Sequence, residues 1–490
     1  RLRLERINTM SFMDDLEIET STTLTENGGR ALSTTGDKLL NLFAVLGALR
    51  SRPTDVIDKF DAAFRENADL ATKMAFYGRD VRGGLGERAV GRLMLRELAL
   101  LYPEVVVANF KNIVKFGRYD DLFVFFDTSV ETDMIEFIKK QLVLDYKCMK
   151  SYQQVSLLAK WMPSINASSE HTKALAHRFV KALNTTPREY RKTLSALRKY
   201  IDVTEVKMSA NKWTDIDYKA VPSNAMSNYG SAFARHDHDG FTRYMDAVKS
   251  GDVKINAATL YPYNVIETMY GNHDVAEAQW KALPNYVEGD NNFLIMADVS
   301  GSMMGRPMAT SVGLAIYFAE RNHGAFANKF MTFTDIPRIV NVAGDDLFEK
   351  YCSVTDHAGY STNLEAAFDA ILSTAVRTKC PQADLPKALV IISDLEIDHW
   401  SGGSLTFTEE MRKRFADAGY EMPKLVYWNV DSRKDTFLAS KNDPNAILVS
   451  GQSASTFKNL IKGIDLSAYE IMVQTLNDPR YDCVVVPSQL

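Results

Sequence analysis

The segment FLIMADVSGSMMG, residues 293–305, sets Asp298, Ser300 and Ser302 directly after a run of apolar residues. In an extended loop, side chains two positions apart point the same way. One carboxylate and two hydroxyls so arranged form a hard oxygen donor set, suited to Mg²⁺, Mn²⁺ or Ca²⁺ rather than to zinc. The same residues admit plainer readings. A serine before a helix commonly caps it, and a serine after a strand can be a nucleophile. The nucleophile elbow requires G-x-S-x-G, however, and the residue two before Ser302 is Ser300. Two more segments supply similar chemistry. GYSTNLEAAFDAIL, 359–372, is a loop feeding a helix with Thr362 at its start, and ALVIISDLEID, 388–398, is an apolar run ending in Asp394. No histidine or lysine accompanies the two aspartates at a convincing place, so metal-assisted hydrolysis is the weakest reading. Glu396 and Asp398 are expected at the same rim, as solvated residues leaving a strand or as a lining near the ion. His399 is expected to be solvated.

The elements that must position these residues are legible in the second part of the chain. From about residue 291 the pattern alternates strand and helix. Strands are expected at 292–299, 329–335, 337–342, 387–395, 424–430, 445–451 and 482–487, with helices near 308–322, 363–378, 408–418 and 455–463. Near-continuous apolar strands suit a sheet covered on both faces. Residues 286–490 are therefore expected to form a doubly wound, Rossmann-like α/β domain, with ligands bound beyond the carboxyl ends of its strands. Asp298 and Asp394 both fall at such ends.

Residues 36–285 read differently. Apolar residues recur at three- and four-residue spacing in successive segments joined by short Gly- or Pro-containing connections, which predicts an all-α array of stacked helical hairpins. Residues 1–35 are polar and mixed and read as an N-terminal arm. RDVRGGLGER, 79–88, neither follows a strand nor contains G-K-[ST], so it is expected to be an interhelical turn needing Gly83 and Gly84 rather than a phosphate loop. KWMPS, 160–164, reads as core packing. The local charge anomaly is 171–200, which holds eight basic side chains, Lys173, Arg178, Lys181, Arg188, Arg191, Lys192, Arg198 and Lys199, against one acidic. With His177, Tyr190 and Tyr200 among them, they form either a solvated basic face or a surface for phosphates and unpaired bases.

Composition bounds the remainder. The chain has 490 residues, 46% hydrophobic and 24% charged, with a formal net charge of −5, as expected of a multidomain, cytoplasmic protein. Its four cysteines, Cys148, Cys352, Cys380 and Cys483, are far apart and indicate neither a disulfide framework nor a zinc site. The longest apolar run, 39–49, is 11 residues, about half of what a membrane span requires.

Asp298, Ser300 and Ser302, then Thr362, then Asp394, in this chain order, resemble the metal-ion-dependent adhesion site of von Willebrand factor A domains. The resemblance implies a divalent ion, usually Mg²⁺. Ser300 and Ser302 would bind it directly, Thr362 directly or through water, and Asp298 and Asp394 mainly through waters or as acceptors behind the ion's own ligands. One position would stay open for a partner's Asp or Glu. Family members often read Gly-Gly-Thr where this chain has Tyr360-Ser361-Thr362. A helical array followed by such a domain resembles the Ro autoantigen family, whose TROVE module is a ring of HEAT-like repeats. A Ro-like family known only as a domain of unknown function is closer still, through FYGRDVRGGLGER (76–88), FGRYDDLF (116–123), LLAKWMPSINASS (157–169), VPSNAMSNYGSAFARHD (221–237) and SDLEID (393–398). This resemblance implies a monomeric, noncatalytic scaffold for structured or single-stranded noncoding RNA and ribonucleoprotein assembly. The alternative is a protein-interaction module in which the metal captures an acidic partner residue without any RNA.

Overall fold

The computed structural model describes residues 12–287, 292–357, 361–401 and 406–487. After a short helix, Phe12–Thr20, the chain forms an antiparallel hairpin of β1 (Thr22–Leu24) and β2 (Arg30–Leu32). The segment expected to be a plain arm thus carries secondary structure of its own.

The helical half follows. Asn67 ends one helix, Val56–Glu66, and caps the next, Ala68–Arg79, by accepting the Leu70 N–H; Arg88–Leu101 packs on both. Between the latter two, Gly84 lies where a Cβ would sit 2.0 Å from the Tyr77 carbonyl oxygen, and Gly86 has φ +66°. The turn closes through Leu85 N–H to Tyr77 O and Glu87 N–H to Gly78 O, so it is the tight interhelical connection that its glycines predict. Phe60, Phe76, Phe116 and Phe125 fill the interior of this half. A second, smaller core around Tyr218, Phe233 and Phe241 joins Ser223–His236 to His238–Lys249.

The second half is a six-stranded sheet of β3 (Phe293–Ala297), β4 (Lys329–Met331), β5 (Ile339–Asn341), β6 (Ala388–Ser393), β7 (Lys424–Asn429) and β8 (Ala446–Ser450). Its order is β5-β4-β3-β6-β7-β8, parallel except for β5, which pairs antiparallel at the edge. β3, β6 and β8 are buried at every position, as a sheet covered on both faces requires. One aromatic cluster joins Phe318 of the helix Arg306–Arg321 to Trp428 and Phe457; another joins Phe368 of the helix Leu364–Thr378 to Phe407 and Phe415. The architecture is therefore a helical module followed by a doubly wound α/β domain.

Residues 482–487, expected to be a strand, are not one. After the helix Ala468–Leu476 the chain meets the helical half. Arg480 and Tyr481 engage buried Asp80, Asn112 Nδ2 donates to Cys483 O at 2.7 Å, and Asn109 pairs with the backbone of Val485 in both directions. The run begins in a turn, with Val484 N–H donating to Tyr481 O, and Cys483 and Val485 bond to asparagine side chains rather than to a neighbouring strand. The halves also meet at Gly47, where a Cβ would stand 2.4 Å from Gly451 Cα, and where Gly47 N–H donates to Ser450 Oγ at 2.9 Å.

Candidate functional site

β3 and β6 are adjacent and parallel, so Asp298 and Asp394 leave the sheet side by side. Both are buried, at 2% exposure. The Asp298 N–H continues the ladder to Ile392 O. Its carboxylate accepts Ser300 N–H at 2.9 Å on Oδ1 and the Ser393 hydroxyl at 2.6 Å on Oδ2. The loop then turns through a single 3-10 turn at Gly301–Met303. That turn sets Ser300 Oγ and Ser302 Oγ 2.9 Å apart, and Ser302 Oγ donates to Asp394 Oδ2 at 3.2 Å. Asp298, Ser300, Ser302 and Asp394 thus converge in one hydrogen-bonded cluster. Leu395, next along, has φ +61°, a conformation costly for a bulky residue and often found at functional sites.

Thr362 is placed differently. It is buried, its N–H donates to Asp398 Oδ2 at 2.7 Å, and its hydroxyl lies 3.0 Å from Asp398 Oδ1 and 3.1 Å from Glu396 O. It belongs to a second network one turn along the rim, linked to the first where Glu396 N–H donates to Asp394 Oδ1. Glu396 is buried rather than solvated, while His399 is exposed. Gly359 and Tyr360, just before Thr362, lie outside the described residues.

The electrostatics follow from burial. The Asp298 carboxyl is pushed up to about 6, first by burial and then by neighbouring Asp394. Burial also raises Asp394, against the Glu396 N–H, Arg433 and Ser302, which hold it down. Two buried carboxylates favour a proton or a cation beside them. Among the described residues no three carboxylate, imidazole or thiolate side chains converge as metal ligands. The donors here are two carboxylates and two hydroxyls, a set that fits a hard divalent ion completed by water.

Three other participants, Arg433, Glu26 and Asn27, carry no motif or spacing that would have marked them in the sequence. Arg433 donates through Nη2 to the Ser302 carbonyl, stands 3.5 Å from Asp394 Oδ2, and reaches Glu26 Oε2 at 3.6 Å. Glu26 and Asn27 form the tip of the β1–β2 hairpin, which is seated on the rim. Thr25 Oγ1 donates to Ile397 O at 2.6 Å, Glu26 N–H to Glu396 Oε2 at 2.5 Å, and Asn27 Nδ2 to Glu396 O at 2.6 Å and Thr362 Oγ1 at 3.2 Å. Gly28 bridges to Asp398 and Leu32 to Phe437.

The eight basic residues of 171–200 separate into two groups on the helices Glu170–Ala182 and Pro187–Tyr200. Three are committed within the protein. Lys173 pairs with Glu170 at 2.6 Å; Arg178 pairs with Asp127 and Glu131 at 2.7 and 2.8 Å and covers the Phe126 ring; Arg198 donates to Ala159 O, Ser164 Oγ and Met162 O. Lys181, Arg188, Arg191, Lys192 and Lys199 are exposed. Pro187–Tyr200 packs on Glu131–Lys150, and Tyr200 Oη donates to Gln153 O at 2.9 Å. The second half of that neighbouring helix exposes Lys139, Val143, Tyr146, Lys147 and Lys150 on one face, with Lys150 over the Tyr146 ring at 5.4 Å. Tyr152 follows at φ +56° and 89% exposure. Buried Asp145 holds the next stretch by accepting Ser156 N–H and Oγ–H.

Two family models match adjoining parts of the chain: Domain of unknown function (DUF2828) over residues 125–290 and Domain of unknown function (DUF7788) over residues 292–480. The chain is 28% identical over 512 aligned positions to the "Uncharacterized protein L728" of Acanthamoeba polyphaga mimivirus, covering 95% of this chain and 89% of that protein. Among solved structures, the Deinococcus radiodurans RO (RSR) protein aligns with a TM-score of 0.47 at 12% identity, over 85% of this chain and 92% of that one.

Proposed function

We propose that this protein is a noncatalytic scaffold that binds RNA through its helical half, with a divalent cation steadying the α/β domain. The observation that carries the reading is the surface shared by Glu131–Lys150 and Pro187–Tyr200. Exposed lysines and arginines supply counter-charge for phosphates, and Tyr146, Tyr152 and Tyr200 offer ring faces to unpaired bases. Val143 and Leu144, at 49% and 53% exposure, add apolar surface beside the basic residues.

At the sheet rim, Asp298, Ser300, Ser302 and Asp394 would hold Mg²⁺ or Mn²⁺, with Thr362 one network away. The ion would neutralise two carboxylates that burial leaves strained. Arg433, at the rim, carries a guanidinium, which suits a counter-charge and not a general base. The donor set also favours a second reading, capture of an acidic partner residue at the ion; the seated hairpin weighs against it, because the tip occupies that rim.

The test is fluorescence anisotropy of labelled single-stranded and hairpin RNAs with the full chain at low salt. Saturable binding that weakens as salt rises is expected. Its absence at low salt would overturn the RNA reading and leave the acidic-partner reading, which EDTA-sensitive capture of a Glu-containing peptide would support.

A further inference from the structure

The β1–β2 hairpin brings the Glu26 carboxylate to Arg433, the guanidinium that also meets Asp394. Glu26 is held at the rim by neighbours on both sides: Thr25 through Ile397 O, its own N–H through Glu396, Asn27 through Glu396 O and Thr362, and Gly28 through its bridge to Asp398. Gly29 has no room for a side chain, since a Cβ would lie 2.5 Å from Ile397 O. The tip is therefore built to its seat. Its carboxylate does not lie against Asp394 unscreened, because Arg433 stands between them, 3.6 Å from Glu26 and 3.5 Å from Asp394. One guanidinium thus serves two carboxylates and also donates to the Ser302 carbonyl. A monovalent cation thus stands between the serine loop, Asp394 and the hairpin.

We infer that Glu26 is the acidic ligand of this protein's own metal site, and that Arg433 is the cation the metal displaces. A divalent ion held by Asp298, Ser300, Ser302 and Asp394 would supply the counter-charge that Arg433 now gives Asp394, and Glu26 would be the carboxylate that completes its donor set in place of a partner's. Metal binding and hairpin docking then strengthen one another by equal factors, because linkage between two equilibria is reciprocal. The site is a latch that ties the N-terminal hairpin to the α/β domain, and a partner's Asp or Glu finds the position filled. This inference rests on the divalent-cation reading of the rim.

The experiment uses the full chain and reads Mn²⁺ affinity by calorimetry and hydrogen exchange of residues 22–32 in Mn²⁺ or EDTA. Glu26→Gln should bind Mn²⁺ at least about tenfold more weakly, since loss of a group that only orients a ligand already costs about that much. Arg433→Gln should bind it several-fold more tightly. Exchange in 22–32 should slow in Mn²⁺ for the wild type and respond less in Glu26→Gln. In EDTA that variant should differ little from the wild type, since it loses only the partly exposed pair to Arg433 while the Thr25, Asn27, Gly28 and Gly29 contacts remain. Mn²⁺ binding that is indifferent to Glu26, or hairpin exchange that is indifferent to Mn²⁺, overturns the latch while leaving the metal site standing. Failure of both the wild type and Arg433→Gln to bind Mn²⁺ overturns the cation reading and the latch with it.

Discussion

Ser393, the last residue of β6, donates its hydroxyl to Asp298 Oδ2 at 2.6 Å, across to the loop that leaves β3. This bond, with those from Ser300, stabilises a carboxylate that is otherwise buried among apolar strands and opposed by Asp394. Ser393→Ala removes the donor and keeps the volume nearly constant. It should cost about 1–3 kcal/mol, the penalty for leaving a buried acceptor short of a partner. Urea denaturation in EDTA measures it, and a cost within error of zero would show that Asp298 is protonated or otherwise relieved in the metal-free protein.

Asp298→Asn tests the same carboxylate from the other side. It removes the charge that burial and Asp394 oppose, so the metal-free protein should gain about 1–3 kcal/mol of stability at neutral pH. It also removes the carboxylate that attracts a divalent ion. The wild type should show a rise in melting temperature on adding Mg²⁺, and the variant should show none. A variant that loses stability in EDTA while keeping the Mg²⁺ increment would contradict both expectations.

The contact between the halves is testable at Gly47. A methyl group there meets Gly451 backbone atoms at 2.4–2.6 Å, and backbone cannot move aside as a flexible side chain can. Gly47→Ala should destabilise the protein by at least the roughly 1–3 kcal/mol typical of overpacking. Gly419→Ala, where nothing lies near the added group but φ is +80°, is the comparison, since its cost is conformational only. A milder effect at Gly47 than at Gly419 would mean that the helical half is not seated on β8 as described.

These sites differ in how far sequence alone could reach them. Asp298 and Asp394 were legible because each ends an uninterrupted apolar run, and such runs in a doubly wound sheet end at one rim. Ser393 was hidden in the run itself, because a serine that completes a strand looks like part of it. Arg433, Glu26 and Asn27 were beyond reach for a different reason. Asn27 meets Thr362 across 335 residues of chain, and neither periodicity nor motif encodes a contact set by how two halves dock. The run 482–487 shows the converse. Its β-branched residues satisfy a strand pattern, yet Asn109 and Asn112 supply the hydrogen bonds, so tertiary partners decided what local preference left open. The basic stretch was legible as composition only. Arg198, counted by sequence with the phosphate-facing residues, is spent on Ala159, Met162 and Ser164 inside the fold.

That division of the basic residues gives the last expectation its form. Lys147, Lys150 and Lys199 are exposed on the surface that also carries Tyr152. If single-stranded RNA lies on it, changing the three lysines to Glu should weaken binding at every sequence. It should also flatten the dependence of log affinity on log salt by about 2, since each phosphate neutralised on a single strand contributes roughly 0.7 to the slope. Tyr152→Ala should cost about 1–3 kcal/mol, the worth of one stacked base, and leave the slope unchanged, because no charge is lost. Arg178→Ala should act otherwise: it breaks the ion pairs to Asp127 and Glu131 and uncovers Phe126, so its effect should appear in thermal stability and not in the salt slope. Anisotropy titrations at several salt concentrations separate the three outcomes. A slope reduced by Arg178→Ala and unmoved by the lysine triple would place the RNA on a different face of the helical half.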